Sequence, residues 1–266
     1  MRHWEFIAGA SVQPVTSTAD GTPGVSTALA TGADQQVDDR RLTRRGRDTK
    51  NRLIDAAHQI FNTTPFHATR IVDITKQAGV ATGTFYTYFD SKEALFRIVA
   101  KDILEAMYAA PKGDPDNTEA NPVRDIAYAS RQYFEVCLEH RRIAQSVELL
   151  RTVDDVVGST RRGALLRGVQ RTARWIERLQ NLGFCDPRID PWYTGMALQT
   201  MNVSVAYDQL VHREEPDDMD ALVAAVTPIW ARAVGLDAWL YPPTAGTAPS
   251  PTASARRDGP GTHSEA

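Results

Sequence analysis

From residue 47 to residue 235 apolar side chains return every three to four positions, and no stretch alternates apolar with polar residues between hairpin turns. A chain patterned in this way can bury its apolar surface only by packing helices, so the spacing predicts an all-α fold of about nine helices. The first helix is expected over 47–62, where Leu53, Ile54, Ala57, Ile60 and Phe61 form one apolar stripe before Thr63, Thr64 and Pro65 stop it. A short second helix follows, with Thr69 as its N-cap, Ile71, Ile74 and Ala78 facing inward, and Gly79 suited to the left-handed position that closes a helix. A third short helix covers 82–88. A fourth starts after Asp90 or Ser91, where Asp90 and Glu93 are spaced as a capping box, and carries its stripe through Leu95, Ile98, Val99, Ile103 and Met107 to Tyr108.

Pro111, Gly113 and Pro115 then form a loop that divides two units. Asn121 and Pro122 read as an N-cap and first helical residue opening a helix to about 139. Further helices are expected over 141–151, 160–181 closed by Gly183, 190–212 opened by Asp190 and Pro191, and 217–235 closed by Gly235, with Pro228 kinking the last. Segments 1–39 and 241–266 are rich in small polar residues and proline, without an apolar period. They are expected to be disordered, because they cannot bury enough surface to offset the entropy of ordering. The resulting division is an N-terminal extension at 1–46 ending in a basic arm at 40–47, a head at 47–101, a helical domain at 102–240 and a tail at 241–266.

Charge is distributed unevenly: residues 40–101 hold 12 basic and 5 acidic groups, although the whole chain has a formal net charge of -3. A basic block within an otherwise acidic chain suits a module that binds a polyanion, since neutralising phosphates is the main sequence-independent source of DNA affinity. Hydrophobic residues at 42% and charged residues at 24% are the proportions of a soluble globular protein. The uncharged run 191–207 is too short and too polar for a bilayer span, and the apolar stretch 4–10 is interrupted by Glu5 and shorter than a signal-peptide core. Neither Cys137 nor Cys185 has a CxxC partner or a histidine cluster. The sequence therefore offers no metal or cofactor site, and a reducing bacterial cytoplasm is the expected location, in association with the nucleoid. The six histidines show no HExxH spacing, and neither a phosphate-binding glycine loop nor a GxSxG elbow occurs, so no catalytic residues are assigned and no enzyme activity is expected.

Two short helices joined through Ala78, Gly79 and Val80 have the form of a helix-turn-helix, in which the second helix enters the major groove. The segment ATRIVDITKQAGV (68–80) followed by GTFYTYFDSKEALF (83–96) resembles the TetR (tetracycline repressor) family of bacterial transcription regulators. The likeness covers about residues 47–101. Beyond that region the helices agree only in number and length.

Independently of the resemblance, Gly83 and Thr84 are small enough to let the backbone approach base edges. Tyr86 and Tyr88 join an apolar ring to a phenolic donor, and Lys92 adds a point charge at a helix N-terminus. The resemblance implies phosphate contacts at Thr69, Tyr88 and Lys92, and base readout by Ala81, Thr82, Thr84 and Thr87. Arg70 offers a further phosphate contact, and Arg44, Arg45 and Arg47 extend the basic arm toward the minor groove. Phe85 and Phe89 are expected in the core, while Tyr86 and Thr69 have core and N-cap readings beside their contact readings.

The family likeness further implies a homodimer on double-stranded operator DNA, released by a small apolar or amphipathic effector in the C-terminal ligand-binding and dimerisation domain. Phe134, Trp175, Tyr193 and Met196 are the candidate pocket residues, with ordinary core as the competing reading of each. A helix-turn-helix protein without an inducer, or an activator, are the alternatives.

Overall fold

A computed structural model of the chain describes residues 42–109 and 121–240, and these residues are helical without a strand among them. The expectations for segments 1–39 and 241–266, for Arg40 and Arg41, and for the 111–115 loop fall outside the described residues. The elements are α1 (Arg44–Thr63), a 3₁₀ turn (Phe66–Ala68), α2 (Ile71–Gln77), α3 (Thr82–Phe85), α4 (Lys92–Met107), α5 (Pro122–Glu139), α6 (Arg141–Leu150), α7 (Asp155–Asn181), α8 (Pro191–Ala206) continued by a π-helical turn (Tyr207–Val211), α9 (Met219–Ala233) and α10 (Asp237–Leu240).

Where a helix begins depends on which side chain caps it. Thr43 starts α1, its Oγ1 accepting from the Gly46 N–H at 3.2 Å, three residues before the apolar stripe suggests. Arg44, Arg45 and Arg47 consequently belong to the first turns of a helix and not to a flexible arm. Thr69 is not the cap of α2. Its Oγ1 donates to the carbonyls of Thr64 and Pro65, and the N-cap position falls to Arg70, which makes no side-chain cap. Ser91 caps α4 by accepting from the Ala94 N–H at 3.0 Å. That places Glu93 at the second helical position, so the expected capping box with Asp90 does not form. Asp154 caps α7, which therefore starts at Asp155 and not near 160. Asn121, Asp190 and Asp218 cap α5, α8 and α9.

Gly79 has φ 65°, the left-handed geometry a Schellman closure needs. The N–H of Val80 reaches back to the Thr75 carbonyl at 3.0 Å, and that of Gly79 to the Lys76 carbonyl at 3.2 Å. The chain thereby turns within three residues and packs α3 against α2. Gly183 and Gly235 close α7 and α9 in the same manner.

One continuous core joins the elements. Phe61, Phe66 and Phe96 stack around the base of the head, with Phe61 and Phe96 edge to face at 5.2 Å between centroids. The expected boundary at 101–102 falls inside α4, whose start holds the head together and whose end, Tyr108, packs on Tyr133 of α5. In the body, α7 packs along α8 and α5 along α9. A Cβ at Gly195 of α8 would lie 3.2 Å from the Val169 carbonyl oxygen, so glycine there allows α7 and α8 to approach closely. Head and body are tied by the Asn62 side-chain amide donating to the Glu139 carbonyl at 2.8 Å, and by an Arg97 to Asp154 ion pair at 3.0 Å.

Candidate nucleic-acid interface

The head presents α3 and its exit turn on a rigid base. Phe85 and Phe89 enter the core, while Ala81, Thr82, Gly83, Tyr86 and Thr87 are exposed and Thr84 is half-buried. The division follows from geometry: in one helical turn extended by i to i+3 bonds, residues 85, 88 and 89 share the inner side, leaving 82, 83, 86 and 87 outside. Tyr86 is 59% exposed, and its ring meets Phe85 edge-on at 5.3 Å, so one flank rests on the protein while most of the side chain is open to solvent. Thr82 does not cap α3; its hydroxyl pairs with that of Thr75 at 3.3 Å and fixes α3 against α2.

Two residues given phosphate contacts by the family resemblance are engaged within the head. Thr69 is 3% exposed. The Lys92 ammonium donates to the carbonyls of Phe66 and Thr69, both at 2.8 Å, and lies 4.4 Å from the Phe66 ring centroid. An ammonium has three donors, so two are committed to holding the 3₁₀ turn against the start of α4. Tyr88 is buried, at 9% exposure. Arg70 is exposed and makes a two-pronged contact with Asp73, at 3.0 Å for both bonds. This pairing holds the Asp73 carboxyl below its usual range and raises the Arg70 guanidinium.

Arg45, Ala81, Thr84 and Tyr88 come together around one cleft between α1 and the helix-turn-helix turn. Thr43, Thr49 and Arg52 line the same cleft and were not singled out in the sequence, although 45, 49 and 52 fall at i, i+4 and i+7 on one helix face. Arg44 and Arg47 are exposed on the same end of α1.

The four candidate pocket residues have unlike surroundings. Phe134 is fully buried among core side chains, Trp175 and Met196 are half-buried, and Tyr193 is 74% exposed near the start of α8. A group of buried titratable side chains lies elsewhere in the body, where Tyr108, Tyr133, Cys137 and Tyr207 crowd near Arg161. Burial pushes the Tyr108 phenol and the Cys137 thiol up, each to about 12, and keeps all four neutral. Among the described residues no group of His, Cys, Asp and Glu is placed to hold a metal ion, and no helix is long and apolar enough to cross a membrane.

Residues 53–99 match the family description "Bacterial regulatory proteins, tetR family". The chain is 38% identical over 58 residues to the uncharacterized HTH-type transcriptional regulator YdgC of Bacillus subtilis, a match covering 22% of this chain and 30% of that regulator's length. It is 22% identical over 190 residues to the HTH-type transcriptional regulator EthR of Mycolicibacterium smegmatis, covering 71% of this chain and 87% of EthR. Among solved structures, it superposes on SmeT, the repressor of the Stenotrophomonas maltophilia multidrug efflux pump SmeDEF, with a TM-score of 0.55 at 19% identity, over 77% of this chain and 99% of SmeT. That last likeness establishes a shared fold.

Proposed function

The chain belongs to the TetR family of bacterial transcriptional regulators, and we propose that it is a homodimeric repressor that grips a near-palindromic operator until a small molecule bound in its helical body releases it. The observation that carries the DNA-binding part is the sorting of side chains in and beyond α3. Phenylalanines anchor the segment, while Ala81, Thr82, Gly83, Tyr86 and Thr87 stand outside, and all of these but Tyr86 are small enough to bring the backbone against base edges. Base readout falls to Ala81, Thr82, Thr84 and Thr87, and backbone contacts to Arg70, Tyr86, Tyr88, Arg44, Arg45 and Arg47. Thr69 and Lys92 serve chiefly to hold that surface in place.

The dimer reading is supported by α8 and α9, which pack on each other and keep apolar groups outside: Trp192, Tyr193 and Ile229 among the large ones, with Ala221, Ala224 and Ala225 on α9. Joining two such pairs across a two-fold axis buries this surface and sets two heads on one face. The release reading is supported by the connection of head to body through α4, α5 and α7, because a ligand that prefers a different body arrangement acts on the heads through those helices. By linkage, each tenfold loss of operator affinity requires about 1.4 kcal/mol of differential ligand binding. SmeT is named a repressor, which favours repression as the outcome of operator binding.

Footprinting on the intergenic DNA upstream of the protein's own gene tests the proposal. The expected result is a pair of symmetric protections about 34–36 Å apart along the helix axis. A single asymmetric protection, or none on any promoter fragment, would refute it.

A further inference from the structure

Residues 102–240 hold 15 basic and 21 acidic groups, yet α7 alone carries six arginines against Asp155 and Glu177. Four of them, Arg167, Arg171, Arg174 and Arg178, are spaced by four, three and four residues, which sets them in one row about 16 Å long on a single side of the helix. Arg167, Arg174 and Arg178 are exposed, and Arg171 is half-buried. Among the described residues none of the four has a hydrogen-bond or ion-pair partner, whereas Arg131, Arg188 and Arg213 elsewhere in the body pair with Asp220, Asp186 and Asp217. We propose that this row is a docking surface for an acidic helix of a partner protein, whose carboxylates, at the same spacing, pair with the four guanidinium groups. The inference goes beyond operator binding and ligand release and concerns a different face of the molecule.

Like charges three and four residues apart destabilise a helix, and an anionic neighbour relieves that conflict. Arg171 sharpens it, because burial without a counter-charge lowers its guanidinium below the ordinary value. The place of the row decides between occupants. It begins twelve residues into α7, roughly 18 Å along the helix from the Arg97 to Asp154 pair that ties the body to the head, so an operator held by the head does not reach it. It also lies on the side of α7 away from α8, whose Gly195 comes against Val169 and Ala173, so the dimer proposed above leaves it open. Apolar groups border the arginines: Trp175, four residues after Arg171, is half-buried, and Leu182, four after Arg178, is exposed. Arginine beside tryptophan and leucine is the composition of a protein interface, whereas a phosphate backbone brings nothing apolar to cover them. A facing helix with carboxylates at the same four-three-four spacing meets the row at every step, as the flanking charges of paired helices do.

The test uses the full-length protein and two labelled synthetic helical peptides of one composition. The first has glutamates spaced by four, three and four residues beside leucines; the second has the same glutamates spread around the helix. Fluorescence anisotropy at low potassium chloride is expected to show the first peptide binding about tenfold more tightly than the second. The triple variant Arg167→Glu, Arg174→Glu, Arg178→Glu is expected to lose about tenfold for the first peptide and to recover it when the three facing glutamates of the peptide are arginines. Arg162→Glu, on another side of α7, should keep the wild-type affinity. The milder triple change to glutamine should show the same loss, and circular dichroism melting of each variant reports on folding. Absence of binding, equal binding of both peptides, or an equal loss in Arg162→Glu would overturn the inference, the last two because they mark general charge attraction. Tighter binding of inorganic polyphosphate or of an unrelated duplex, lost in the triple variant, would assign the row to a phosphate polymer and overturn it as well. Operator affinity is expected to be unchanged in the triple variant; a loss there would place the row on the DNA-binding surface and overturn the inference while leaving operator binding itself intact.

Discussion

Replacing Lys92 by alanine separates two roles for this side chain. A lysine whose ammonium waits in solvent for DNA could be removed without effect on the free protein. The structure instead shows two charge-assisted hydrogen bonds of 2.8 Å to the Phe66 and Thr69 carbonyls and a ring contact at 4.4 Å. Hydrogen bonds to charged groups contribute about 1.5–3 kcal/mol each, and an accessible cation–π contact about 0.5–1 kcal/mol. The low ends of these ranges sum to about 3.5 kcal/mol; because Lys92 is half-buried and water can replace part of what the carbonyls lose, the expected cost of Lys92→Ala is smaller, about 2–3 kcal/mol. For a protein of this size that lowers the melting temperature by roughly 4–10 °C. Lys92→Met, which keeps the apolar stem over Phe66, should recover only the packing part. Thermal and urea unfolding followed by circular dichroism read the effect without DNA present. A Lys92→Ala protein that melts with the wild type would refute the tether.

Further consequences concern stability and pH. Gly158→Ala places a Cβ 2.6 Å from the Arg151 carbonyl oxygen, which neither backbone can relieve cheaply, so urea unfolding should show a loss of about 1–3 kcal/mol. Tyr133→Phe removes a buried hydroxyl that has only the Cys137 thiol and the Tyr108 phenol beside it, so the variant should melt close to the wild-type temperature; a clear loss would mean that the hydroxyl is firmly bonded. Burial lowers the His140 imidazole below its ordinary 6.5, an effect reinforced by His58 and opposed by Glu139. The folded state therefore binds this proton less readily than the unfolded state. The stability that depends on a neutral His140 is present above pH 6.5 and is lost as pH falls through the lowered value. His140→Gln should flatten that acid-side decline in a urea titration, and an unchanged pH profile would exclude His140 as its source.

The sequence made the helical class and most helix ends legible because those features are local. Asn121 with Pro122, Asp190 with Pro191, and glycines 79, 183 and 235 stop or start helices through bonds to residues a few positions away. The inward Phe85 and Phe89 were readable for the same reason. Competition between neighbouring caps was harder to read. Ser91 displaced Asp90, and Thr43 and Asp154 began helices ahead of the apolar stripes. In 153–158, three valines and a glycine obscure the start of α7, since their helix propensity is poor and the helix is started there by the Asp154 cap and the burial of Val157. The helix expected over 190–212 does run to Val211, but nothing in the spacing announces that its last turn, Tyr207–Val211, widens into a π turn.

At the site, the exposed surface of α3 could be read from spacing, but the fate of Lys92 and Thr69 depends on carbonyls more than 20 residues away for one and on a 3₁₀ turn for the other. Arg52 becomes interesting only when the Gly79 turn brings α3 beside α1. The pocket proposed for Phe134, Trp175, Tyr193 and Met196 rested on residue type alone, and residue type does not indicate which face of α8 turns outward.

The central claim is that the surface formed by α3, its exit turn and the start of α1 meets DNA. Hydrogen–deuterium exchange, with and without a saturating duplex from the footprinted region, tests it directly. The account predicts slowed exchange concentrated in peptides covering 42–52 and 79–92, with the outer face of α7 unchanged. Protection confined to the body, or none in the 79–92 peptide while the duplex is bound, would contradict it.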